Sequence, residues 1–63
     1  MQLTKQNIYT CKGDPNLRWG QAIVAAFGLN GDLADQLFYA NDDAVETIVQ
    51  KMIVEFQIPE KDT

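Results

Sequence analysis

Apolar residues recur every three to four positions through most of this chain. The rhythm breaks at Gly13-Asp14-Pro15, Gly28-Leu29-Asn30-Gly31, Asn41-Asp42-Asp43 and Pro59. A period near 3.6 lays one face of a helix on a core, so the breaks divide the chain into an N-terminal segment and three predicted helices. The first opens at Asp14-Pro15, where Asp is a good N-cap and Pro fits the first turn. It runs through Leu17, Ala22, Ile23, Ala26 and Phe27 and stops at Gly28. Gly20 lies inside it, where glycine costs about 1 kcal/mol relative to alanine; another backbone is expected to pack close by.

The second helix is short. Asp32 is its expected cap, Leu33, Ala34, Leu37 and Phe38 form its stripe, and it ends near Tyr39-Ala40-Asn41. Two turns cannot stand alone, so its neighbours must hold it. The third helix has the clearest pattern. Asp42 or Asp43 caps it, and Asp43 with Glu46 resembles a capping box. Ala44, Val45, Ile48, Val49, Met52, Ile53 and Phe56 make its apolar face, within which Ile48, Val49 and Met52 are the predicted core. Pro59 ends it. Val54 to Ile58 also alternates with period two, which keeps a strand open there. The N-terminal segment has two readings as well. Thr4 as cap with a Leu3–Ile8 staple gives a short helix from Lys5 to about Cys11; a strand over residues 7–11 would find its partner only in residues 54–58. The expected fold is all-α: a compact bundle of about three helices with a short N-terminal helix or extended segment, in one domain over residues 1–63.

Composition narrows the function. The chain has 63 residues, no histidine, no serine and a single cysteine. Histidine general-base mechanisms, Ser-His-Asp triads and histidine or four-cysteine zinc sites are thereby excluded. Cys11 has no partner for an internal disulfide, so the core alone must hold so small a fold, in keeping with a reducing setting. No Asp-x-Asp-x-Asp-Gly loop of the EF-hand type is present, and no metal or cofactor is expected. No apolar run approaches the roughly 20 residues of a spanning helix. The opening residues lack the apolar core of a signal peptide. A cytoplasmic protein without membrane contact is the expectation.

Net charge is −4, from 5 basic and 9 acidic residues. The bases are scattered, which disfavours direct nucleic-acid binding. Between Trp19 and Gln50 there is no base, while Asp32, Asp35, Asp42, Asp43 and Glu46 all fall there. Acids at helix N-termini act first as caps; together they also form a surface for a basic partner. Trp19 and Tyr39 belong to the types that anchor interfaces and equally to those that complete small cores.

The text Arg18-Trp19-Gly20-Gln21-Ala22, followed by Phe38-Tyr39 and then Asp42 or Asp43, resembles small uncharacterised helical proteins of bacteria and their phages. Those carry Arg-x-Gly-Gln-Ala in a first helix, and a Phe-Tyr with Asp close behind opens their last helix. Here the Asp pair stands a little further past Tyr39. The resemblance covers about residues 15–50; it implies a compact helical fold and a phage or mobile-element origin, and it brings with it no established activity. Physically, Arg18 and Gln21 are read as a clamp onto Asp42 or Asp43, since arginine presents a rigid fork of donors, or else as part of a binding site with Tyr39. The expected function is a non-enzymatic acidic module. It binds and modulates a larger protein through that protein's basic patch, with Trp19 or Tyr39 as apolar anchor and Asp32, Asp35 and Glu46 as charge. The alternative is a structural homodimer joined through surplus apolar surface of the third helix and Trp19.

Overall fold

The computed structural model describes residues 2–61. Four helices follow one another: α1 (Lys5–Thr10), α2 (Trp19–Phe27), α3 (Gly31–Tyr39) and α4 (Asp42–Glu55), with a 3-10 turn at Cys11–Gly13 after α1. Among the described residues there is no strand. The N-terminal segment is therefore helical, and residues 54–58 are the end of α4 and the turn beyond it. Among the described residues no helix is long and apolar enough to cross a membrane.

The N-terminus of α1 is closed from two directions. Thr4, buried, accepts the Asn7 N–H on its hydroxyl at 3.0 Å. The C-terminal tail returns to take two more donors: Lys5 N–H reaches Pro59 O at 2.8 Å and Gln6 N–H reaches Glu60 O at 2.9 Å. Three of the four amides that a helix start leaves open are thus paired, and the two ends of the chain are joined.

Helix α2 starts later than its sequence suggests. Asp14 does accept the Asn16 and Leu17 N–H groups, at 2.8 and 3.2 Å, as a cap would. The turn does not propagate, because Arg18 is extended (φ −68°, ψ 159°) and is itself the N-cap. Leu17 consequently lies outside the helix and on the surface. Gln21 Oε1 accepts the Arg18 N–H at 3.4 Å, which is half a capping box; the other half is missing because arginine has no acceptor.

The caps of α3 and α4 also differ from expectation by one or two residues. Asn30 precedes α3, with Asp32 in its first turn. Asn41, not Asp42 or Asp43, caps α4, accepting the Ala44 N–H on Oδ1 at 2.9 Å. Helices α2 and α4 end alike. After α2, Gly28 is left-handed (φ 62°) and Leu29 N–H returns to Val24 O at 3.2 Å; after α4, Gln57 is left-handed (φ 52°) and Ile58 N–H returns to Ile53 O at 3.1 Å. These are Schellman closures, and the second delivers Ile58 into the core.

That core gathers Ile8, Cys11, Trp19, Ala22, Ile23, Leu37, Val45, Val49, Met52 and Ile58. Of the residues predicted for α4, Val49 and Met52 are buried, whereas Ile48 is only half-buried and packs on the cluster from outside. Phe56, which the periodicity places on the same face, is exposed. The Schellman turn takes Ile58 inward in its place.

Candidate interaction surface

The Arg18–Ala22 segment docks the start of α2 on the end of α3. Gly20 meets the Leu37 backbone so closely that a Cβ there would lie 1.9 Å from the Leu37 carbonyl oxygen. The expected close approach is thus present, and its partner is α3. Arg18 Nη2 donates to Phe38 O at 3.4 Å, a long bond at an exposed position. Among the described residues Arg18 makes no ion pair with Asp42 or Asp43. It holds the carbonyl end of α3 instead, where the helix dipole favours a cation. Ala22 completes the segment inside the core.

Trp19 is a core residue, not an interface anchor. It is 2% exposed. Its indole N–H donates to Ile8 O at 2.9 Å, its ring meets Tyr9 at 5.3 Å between centroids, and Lys12 Nζ sits 4.8 Å from the ring centroid. The buried indole N–H finds the acceptor that such burial requires.

Tyr39 lies at the opposite extreme, 77% exposed. It stacks edge-to-face on Phe38, with centroids 5.1 Å apart and planes at 73°. Phe38 is itself 43% exposed, although the apolar stripe of α3 places it toward the core. Its neighbour Leu37 takes the core position, fully buried, and successive helical residues point about 100° apart, so Phe38 falls at the edge of the stripe. Phe38, Tyr39 and Asp35 border a shallow cavity of about 240 Å³ floored by Val24 and Ala34, between α2 and α3. The pair is thus an apolar projection on a scaffold that Gly20 and Arg18 fix from below.

The acids do not share one face. Asp35 belongs to this α2–α3 cavity. Asp32 lines a different groove, between α3 and α4, beside Lys51 and Glu55. Glu46 faces α1, where its Oε2 accepts the Tyr9 hydroxyl at 2.5 Å. The expected trio of Asp32, Asp35 and Glu46 is therefore divided among three places, because α3 and α4 present successive acids on different sides. Asp42 and Asp43, freed of the capping role by Asn41, stand exposed in the first turn of α4, three and four residues beyond Tyr39.

Tyr9, Glu46 and Gln50 form the most closely bonded polar cluster. Gln50 Nε2 also donates to the Tyr9 oxygen, at 3.3 Å. The bond to Glu46 raises the Tyr9 pKa above its ordinary value, with desolvation and the Glu46 charge adding to the effect. Cys11 is buried, and burial, then the Asp14 charge, pushes its thiol up; that is the reverse of what a nucleophile needs. Among the described residues no group of three or more acidic or cysteine side chains is placed to hold a metal ion. No family model, curated protein or solved structure matches the chain.

Proposed function

We propose that this protein is a non-enzymatic interaction module that binds a basic patch on a larger protein through the Phe38–Tyr39 end of α3. The observation that carries the reading is the exposed aromatic pair, stacked edge-to-face beside Asp35. A tyrosine anchor supplies contact area at low conformational cost, and it is enriched among the residues that dominate interfaces. Asp35, Asp42 and Asp43 supply the charge, replacing the trio that the sequence suggested. The three acids outnumber the Arg18 guanidinium bonded at the Phe38 carbonyl, and an excess of one charge around an anchor speeds encounter with an opposite patch more than it tightens the complex. Arg18 and Gly20 act behind the surface by holding the end of α3, while Gln21 closes the start of α2.

Affinity capture from cell lysate, with parent protein and with Tyr39→Ala, tests the reading. The expected result is a captured basic protein whose recovery falls at least about tenfold in the variant, the loss of one hot spot. Equal recovery by both proteins would contradict the proposal, provided the variant keeps its helical spectrum.

A further inference from the structure

A second surface is built differently. Between α3 and α4 runs a groove of about 340 Å³, lined by Leu33 and Asp32 from α3, by Ile48, Lys51 and Glu55 from α4 and by Phe56 just after it. Phe56 is 57% exposed. It stands out because the turn at Gln57 sends the chain back and gives the core position to Ile58. Charge here is mixed, one base among two acids. Among the described residues Lys51 makes no ion pair within its own chain.

We propose that this groove is the interface with a second copy of the chain, joined about a two-fold axis with the two α4 helices antiparallel. In an isologous contact residue i meets j and j meets i. An axis passing the exposed side of α4 midway between Lys51 and Glu55, which line the groove, sets Lys51 of each copy opposite Glu55 of the other. The same axis carries each Phe56 toward Ile48 and Leu33 of the opposite groove, so one placement satisfies the apolar and the charged pairings together. A strongly basic partner fits less well, since it would meet Lys51 unfavourably. Small chains also commonly complete their apolar burial by oligomerisation. The dimer would present two copies of the aromatic anchor, so this inference extends the proposed function without depending on it.

Sedimentation equilibrium of the full chain, from about 10 µM to about 1 mM so as to span weak to moderate association, tests the assignment. The parent should show a reversible monomer–dimer equilibrium, and Phe56→Asp should abolish it. Lys51→Glu and Glu55→Lys should each raise the dissociation constant by roughly tenfold or more, since symmetry turns each reversal into two like-charge contacts. The decisive sample is an equimolar mixture of those two variants. Every cross-copy pair is then attractive, so the mixture should dimerise more tightly than either variant alone. Lys51 and Glu55 are exposed, so both variants should keep their helical spectrum. A parent that stays monomeric throughout, or a mixture no tighter than its components, overturns the proposal.

Discussion

Gly20 and Leu37 touch backbone to backbone: a methyl group on the Gly20 α-carbon would stand 1.9 Å from the Leu37 carbonyl oxygen and 2.8 Å from its carbon. Neither atom belongs to a flexible side chain, so the helices themselves would have to separate. Helix propensity alone favours Gly20→Ala by about 1 kcal/mol. Overpacking typically costs about 1–3 kcal/mol, and more where backbone must move. The variant is therefore expected to be less stable by about 2 kcal/mol, a large share of what so small a core supplies. Thermal unfolding followed by circular dichroism reads the sign directly. A Gly20→Ala protein that melts at or above the parental temperature would show that α2 and α3 do not approach this closely.

The cap of α4 gives a second test, because sequence and structure assign it to different residues. Asn41 Oδ1 accepts the Ala44 N–H at 2.9 Å. Asn41→Ala should cost about 1 kcal/mol, the usual loss for a removed N-cap. Asp43→Ala removes only a favourable charge in the first turn, worth about 0.3–1 kcal/mol and screened by salt. Chemical denaturation of both variants should rank Asn41→Ala as the more damaging at high salt. The opposite ranking would return the cap to Asp43.

Where local chemistry decides the outcome, the structure follows the sequence closely. Thr4 caps α1, Gly28 ends α2, and α3 stops at Tyr39. Departures occur where a distant contact wins. Asp14 begins a turn as its neighbours suggest, yet Arg18 stays extended while Trp19 docks on the Ile8 carbonyl and Gly20 on Leu37. Trp19 and Tyr39 read alike from sequence. In the fold Trp19 docks its indole N–H on the Ile8 carbonyl, whereas Tyr39, at the end of α3, stands exposed. The acids of residues 32–46 are contiguous in sequence but scattered in space, since a helix turns each residue about 100° from the last. Glu46 illustrates this: its charge reads as partner-facing in the sequence, and in the fold it is bonded to Tyr9.

That Tyr9–Glu46 bond makes stability sensitive to alkaline pH. A free phenol ionises near pH 10, and the bond to Glu46 moves the folded-state value higher. Above pH 10 the unfolded chain releases this proton while the folded chain still holds it. The contribution is therefore complete below about pH 10 and is lost as pH rises through the folded value. Tyr9→Phe should cost about 0.5–1.5 kcal/mol at neutral pH, the range for one hydrogen bond, and should lessen the alkaline decline relative to the parent. Unfolding free energies measured from pH 7 to 11 for both proteins check this. Parallel curves would mean that the Tyr9 proton is not linked to folding.

The most direct test of the interaction surface works on a partner of any identity. A photo-reactive phenylalanine analogue replaces Tyr39 in one version of the protein, and in another it replaces Thr47, an exposed position on α4. Both are irradiated in cells and the adducts are sized and identified. The expected result is a discrete adduct with a larger, basic protein from position 39, absent at position 47 and weakened when Asp35, Asp42 and Asp43 are changed together to Asn. An adduct pattern at position 39 no different from that at position 47 would contradict the central claim that the Phe38–Tyr39 end of α3 is where this protein meets its partner.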